Sequence, residues 1–248
     1  MQPDPTAPSA WDVVAARNDS LPPGWRRHGQ DVHHRLLQRW IGTASGRWLK
    51  TDLFEELSPD RALLPTGTAS WVGIDLSTAV ARDARGRAGK VCVADVRSLP
   101  FRDGAFAGVL STSTLDHFTD VTDIACSLRE LHRVLADDAV LVLTLDNASN
   151  PLIRLRNALP RSISKRTGLV PFFVGATLDE DGGRRALHAA GFHVDEVTYV
   201  LHAPHVIGTR PARWNWYARH VLPLYNRLGN TRAARRTGHY IAFLARRR

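Results

Sequence analysis

Four apolar runs set the pattern of this chain: Trp-Val-Gly-Ile-Asp-Leu at 71–76, Val-Cys-Val-Ala-Asp-Val at 91–96, Gly-Val-Leu-Ser-Thr at 108–112 and Ala-Val-Leu-Val-Leu-Thr-Leu at 139–145. They are rich in β-branched residues and continuous rather than alternating, which predicts parallel strands covered on both faces. Carboxylates or hydroxyls gather where the first three stop. Open α/β sheets bind their ligands at that edge, so Asp75 and Asp95 are the first candidates for holding a nucleoside.

The intervening pattern supplies the rest. A helical cap is expected over residues 1–45 around the break at Pro22-Pro23-Gly24, with Leu36, Leu37, Trp40 and Ile41 on one face. Gly46 to Asp52 reads as a short strand, with a helix opening at Leu53-Phe54-Glu55-Glu56-Leu57. Helices are expected over Ser77–Ala88 and, from Ile124, Leu128, Leu131, Val134 and Leu135 on one side, over Asp120–Leu135. Asp137-Asp138 should separate that helix from the strand at 139–145. Beyond Asp146, Leu152 to Lys165 is basic and amphipathic, and Leu178 to Ala190 is a helix closed by Gly191. Phe192 to Leu201 is a strand, 206–237 an insertion, and Gly238 onwards a last strand. The alternation predicts one α/β domain: a doubly wound, seven-stranded, mostly parallel sheet with an antiparallel edge hairpin, an N-terminal helical cap and a C-terminal lid insertion. Residues 46–146 would form the binding core and 147–248 the substrate-facing half.

Composition narrows this a little. A chain of 248 residues with 44% apolar content suits one elaborated domain. Cys92 and Cys126 have no disulfide or metal spacing and read as buried core thiols of a reducing compartment. With no apolar run long enough for a membrane span and no basic-then-apolar leader in Met-Gln-Pro-Asp-Pro-Thr-Ala-Pro, cytoplasmic residence is expected. The net charge of +9 is almost wholly arginine, since Lys50, Lys90 and Lys165 are the only lysines. No nucleic-acid-reading motif accompanies it, so nucleic acid is not expected as a partner, and a homodimer is left open. His28, His33 and His34 lack a carboxylate or cysteine to complete a metal set and read as a solvated helix face; no metal is expected.

Gly73-Ile74-Asp75-Leu76-Ser77, Ala94-Asp95-Val96 followed by Leu99-Pro100-Phe101, Phe106-Ala107-Gly108-Val109, and Glu130-Leu131-His132-Arg133-Val134-Leu135 resemble, in this order and spacing, the class I S-adenosylmethionine-dependent methyltransferases. The resemblance covers roughly residues 46–145 and the closing hairpin. It implies S-adenosylmethionine as cofactor, S-adenosylhomocysteine as product and a small-molecule O- or N-acceptor of biosynthetic type. It implies that Asp75 takes the ribose hydroxyls and Asp95 the adenine amine, with Leu76 and Val96 against the ring and Ser113 nearby; the alternative is that both aspartates cap the following helices. The chain departs from the family at the first turn, where Lys50-Thr51-Asp52-Leu53-Phe54-Glu55-Glu56 stands in place of a glycine-rich loop. One reading is a charged clamp, Lys50 on the methionine carboxylate and Asp52 or Glu55 on its ammonium. The other is an ion pair internal to the loop, in a fold recruited for a non-methylating reaction such as cyclisation or isomerisation.

An acceptor hydroxyl needs a base near the fourth strand's carboxyl end. His117, oriented by Asp116, is the first candidate, the alternative being that it only starts the next helix. His202 and His205, ending the penultimate strand, and Trp214 and Trp216, interleaved with arginines, are candidate acceptor contacts. A basic lipid- or nucleic-acid-binding protein is the third reading, carried by the arginine-rich last third.

Overall fold

The computed structural model describes residues 12, 23–57, 62–63, 69–85, 89–158, 175–203, 211–228 and 231–248. Seven strands form one sheet: β1 (Arg47–Lys50), β2 (Ser70–Asp75), β3 (Lys90–Val93), β4 (Phe106–Thr112), β5 (Leu135–Asp146), β6 (Phe192–Val200) and β7 (Tyr240–Arg247). Their order is β3-β2-β1-β4-β5-β7-β6. The first five are parallel neighbours, and β7 runs antiparallel between β5 and β6. Because Asp146 and Val200 both pair with Tyr240, β7 begins at the edge where the other strands end.

Helices cover both faces. On one, α1 (Pro23–Ile41) sets Leu37 against Leu110, Val142 and Leu244. On the other, α3 (Val121–Val134) buries Ile124, Leu128, Leu131 and Val134 among Leu49, Val109, Leu141, Leu143 and Phe243. Burial on both sides is what a continuous rather than alternating apolar pattern requires. Between β2 and β3, α2 (Thr78–Ala84) is capped by the Ser77 hydroxyl, which accepts from the Val80 amide; it ends before the predicted boundary, and 86–88 lie outside the described residues. After β5 come α4 (Pro151–Ala158) and α5 (Glu180–Ala189), the latter capped by Asp179.

Two expectations shift in detail. The strand foreseen at 139–145 starts at Leu135, which pairs with Phe106; Asp137-Asp138 is a kink inside it, with Asp138 at φ 59° and the register slipping between Phe106 and Gly108. The insertion holds three helices, α6 (Pro211–His220), α7 (Leu222–Leu228) and α8 (Arg232–Thr237). The return from α8 is fastened by the Asn147 and Asn150 side-chain amides, which donate to the carbonyls of Arg235, Thr237 and Gly238.

Candidate active site

The turn after β1 is built around one buried ammonium. Lys50 Nζ donates to the Asp52 carbonyl at 2.9 Å, Glu55 Oε2 at 3.1 Å and Thr112 Oγ1 at 3.5 Å, and lies 3.7 Å from Asp52 Oδ2 and 3.9 Å from Glu56 Oε1. A lysine has three N–H donors, and all three are spent. Burial alone would lower the ammonium's pKa, but Asp52, Glu55 and Glu56 outweigh it and hold the group charged. Three carboxylates thus face one cation. Burial pushes the Asp52 carboxyl up to about 7 against the pull of Lys50, with Glu55 and Asp75 adding to the rise.

Backbone amides of the same turn are also spent: Thr51 on the Leu110 carbonyl, Leu53 on Asp75 Oδ2, Phe54 on Asp52 Oδ1, Glu56 and Leu57 on carbonyls three residues back. The glycine that the turn lacks is found beneath it. A Cβ at Gly73 in β2 would fall 2.3 Å from Leu53 Cδ2, so Gly73 is what lets the loop's fully buried leucine lie on the sheet.

Asp75 ends β2 and ties the turn to α2, with Oδ2 accepting from Leu53 N at 3.0 Å and Oδ1 from Ser77 N at 2.8 Å. Each oxygen keeps one lone pair for a further donor. Burial pushes this carboxyl up, opposed by the two amides. Asp12 reaches the same corner, its carboxylate accepting from the Ser77 hydroxyl and, at 3.3 Å, from Ala79 N. Asp95 is paired with Arg97 through Nε and Nη2 and accepts its backbone N–H; burial works against the charge, but Arg97 holds the carboxyl below its usual range. Arg97 also reaches Asp123 at 3.1 Å. Leu76 is half-buried at the edge, whereas Val96 packs into the main core. Glu130 and Arg133 hold the following loop through the Leu99 amide and the carbonyls of Leu99 and Phe101, which accounts for their place in the motif.

At the tip of β4, Ser113 is left-handed, at φ 50°, a conformation costly for a serine. Its amide donates to Thr144 and its hydroxyl to Asp116 Oδ2 at 3.0 Å. Asp116 Oδ2 also accepts from Asp146 N at 3.0 Å, while the buried Oδ1 has no hydrogen-bond partner among the described residues. Asp146 in turn pairs with Arg156 at 2.5 Å and His239 at 3.3 Å. Burial would raise both carboxyls, but His239 and Arg156 bring Asp146 down to about 2, so it carries the charge, while Asp116 is pushed up by burial and by Asp146. His117 is half-buried in the single turn Leu115–His117 that follows. Tyr240, half-buried, lies within reach of Ser113, Asp116 and Asp146.

The histidines of α1 correct an expectation. His33 is buried against Tyr240, ring centroids 5.7 Å apart, and His28 lies half-buried beside Trp214 at 5.4 Å. His34 alone of the three is on the exposed side, its Nε2 on the Ala62 carbonyl. A solvated face was expected because spacing does not reveal which stripe of a helix meets the sheet edge.

The acceptor candidates part company. His202 is fixed by Thr237 Oγ1 at 2.9 Å and the Tyr199 carbonyl at 3.1 Å, and stacks on Tyr225 at 5.5 Å and 9°. His205 lies outside the described residues. Trp214 is 8% exposed and packs on Gly24, while Trp216 is 61% exposed. A cavity of about 330 Å³ opens between α1, the end of β6 and α7, lined by His28, Arg35, Thr198, Leu201, His202 and Tyr225 among others. Burial lowers both histidines, His28 to about 4 with Arg35 assisting, so the cavity presents neutral imidazoles beside arginines.

These features define an α/β protein with a polar, carboxylate-rich sheet edge. Residues 58–143 match the family model described as "Methyltransferase domain". The chain is 36% identical over 133 residues to a malonyl-[acyl-carrier protein] O-methyltransferase of Geobacter sulfurreducens, covering 50% of this chain and 47% of that one. It spans less than half the length of the curated relatives it matches, 47% and 37%. A solved SAM-dependent methyltransferase of Methanosarcina mazei aligns with a TM-score of 0.56 at 16% identity, over 86% of this chain and 96% of that one. The [4+2]-cyclase SpnF aligns at 0.57 and 18%, over 86% and 79%. The chain has the class I S-adenosylmethionine-dependent methyltransferase fold.

The residues fit that cofactor at its cationic and ribose ends. The surplus carboxylates at the tip of β1 match an ammonium and a sulfonium, and Asp75 retains acceptor sites for a diol. Lys50, fully engaged, offers nothing to the amino-acid carboxylate.

Proposed function

We propose that this protein is an S-adenosylmethionine-dependent methyltransferase acting on a small-molecule O- or N-acceptor of biosynthetic type. One observation carries the reading: a buried ammonium is outnumbered by Asp52, Glu55 and Glu56 at the strand tip where the cofactor's cationic end would lie. The bound cofactor supplies an electrophilic methyl carbon. Asp52 and Glu55 hold the ammonium side, Asp75 orients the ribose, and Asp95 with Leu76 borders the base. The acceptor approaches from the α1 side of the sheet edge, next to the cavity beside His202, and its proton leaves toward α1. Alignment and exclusion of water, more than covalent help, are what such a site contributes to an in-line displacement.

A second reading, a non-methylating enzyme on the same fold, is favoured by the self-satisfied turn, in which Lys50 has no free donor. Calorimetry with S-adenosylmethionine and S-adenosylhomocysteine, followed by a screen of phenols, carboxylic acids and amines for homocysteine-nucleoside release, separates them. Binding with turnover supports methyl transfer; binding without turnover selects the second reading; failure to bind either ligand removes both.

A further inference from the structure

We infer that His33, a residue of the N-terminal helix, is the general base that takes the acceptor's proton. The inference rests on the methyltransferase reading and deepens it. His33 Nδ1 lies 2.9 Å from the Gly29 carbonyl, an atom that can only accept. Nδ1 therefore carries the hydrogen, and Nε2 holds a lone pair. That Nε2 is buried and has no hydrogen-bond partner among the described residues. A buried acceptor left unmatched is costly, and a ligand donor would relieve that cost.

The ring lies at the carboxyl edge of the sheet, on the face that α1 covers. Leu37, one turn further along the same helix, covers Leu110 and Val142. Thr112, Thr144 and Asp146 continue that face to the carboxyl edge, by the two-residue period of a strand. Tyr240 pairs with Asp146 there and lies against the His33 ring. The charged and titratable groups acting on the ring are Glu55 and Lys50 from the β1 tip and turn, His34 next to it in sequence, and Tyr240 from β7, whose ring it meets. Burial lowers the imidazole's pKa, with Lys50 and His34 assisting and Glu55 opposing, so the neutral base is ready at physiological pH. In the reaction the acceptor oxygen or nitrogen forms its bond to the methyl carbon as the carbon–sulfur bond breaks. That electron pair stays on sulfur as the neutral thioether, and the acceptor's proton passes to His33 Nε2. Glu55, close enough to favour the imidazolium, supports the charge that appears.

The test begins with ring-nitrogen correlation NMR on ¹⁵N-labelled full-length protein, the His33→Gln variant identifying the signals. The Nδ1–H tautomer with a protonation midpoint below that of a free histidine is expected; the Nε2–H tautomer, or a midpoint at or above the free value, overturns the inference. Calorimetry with S-adenosylhomocysteine should give affinities within about twofold for wild type and His33→Gln. A wild type that does not bind refutes the methyltransferase reading itself, whatever the tautomer, while a tenfold loss confined to the variant makes His33 a cofactor contact instead. With the best acceptor from the screen, His33→Gln should lower kcat by ~10²-fold at unchanged KM and abolish the acidic limb of the pH profile. A near-wild-type rate overturns the assignment, and an absence of any turnover in wild type removes the reaction it serves.

Discussion

Asp52 allows the charge of the proposed ligand to be read directly. Its carboxyl is raised to about 7, chiefly by burial, so at pH 7 about half the ligand-free molecules carry a proton there. An ammonium or sulfonium placed beside it favours the carboxylate, and binding S-adenosylmethionine should therefore expel that proton. If the cation lowers the pKa by two units or more, the apparent association constant falls about tenfold between pH 8 and pH 6, or about 1.4 kcal/mol. Calorimetry at pH 7 in two buffers of different ionisation enthalpy should find about half a proton released per ligand bound. Asp52→Asn should bind with flat affinity over this range and release none. An affinity independent of pH in wild type, or equal proton release by the variant, refutes the reasoning. Stability gives the sign a second check. Because the folded pKa is the higher one, the native state holds a proton that the unfolded chain has lost. The stabilisation is full below about pH 4 and disappears as pH rises toward 7, by at most ~1.4 kcal/mol per unit. The urea midpoint should accordingly fall across that window in wild type and fall less in Asp52→Asn.

Lys50→Met leaves the buried Glu56 and the half-buried Asp52 and Glu55 without their cation and should destabilise the fold by about 3–5 kcal/mol in urea melts; a loss under 1 kcal/mol would mean that the cluster is solvated. Gly73→Ala drives a methyl into Leu53 and should cost roughly 1–3 kcal/mol, a loss that pairing with Leu53→Ala should fail to add to, since the two changes share one space; simple additivity of the melting shifts would count against the contact. Decarboxylated S-adenosylmethionine, which keeps both cations, should bind within about threefold of the intact cofactor, since each 1.4 kcal/mol is tenfold and the spent donors of the turn supply little of that. A weakening of thirtyfold by calorimetry would show that the carboxylate is held after all.

The strand runs and the mostly parallel sheet with its edge hairpin were readable because burial on both faces leaves continuous apolar segments, and Asp75 and Asp95 could be placed because strands end where polarity returns. Partners were not readable. That Lys50 turns inward upon Asp52, Glu55 and Glu56, or that Asp95 is taken by Arg97, depends on rotamers that spacing does not encode. Val96, read from the sequence beside Asp95, lies in the turn after β3 with its side chain in the main core, a burial that spacing alone does not reveal. His33 was missed for a related reason. One helix with histidines at 28, 33 and 34 has several faces, and only the packing of Leu37 on Leu110 and Val142 shows which one meets Tyr240. The signal available in the sequence was the apolar stripe at Leu36 and Leu37, within which a histidine at 33 falls at i−3 and i−4.

The turn after β1 bears on recognition as well as folding. A glycine-rich turn lets bare amides approach an anion, which works only if those amides are unspent. Here five of them close on the chain itself, and the glycine has moved beneath the turn, to position 73, where it admits Leu53. What the turn can still offer is negative charge: Asp52, Glu55 and Glu56 against Lys50, with Asp75 beside them. A surplus of buried carboxylates is costly unless a cation neutralises it or one of them takes a proton, and the elevated Asp52 carboxyl is the second solution in the ligand-free chain. The same surplus would then select the first solution on binding. Specificity for a sulfonium over its neutral thioether product follows from that charge alone, and it would help expel the product once the methyl has moved.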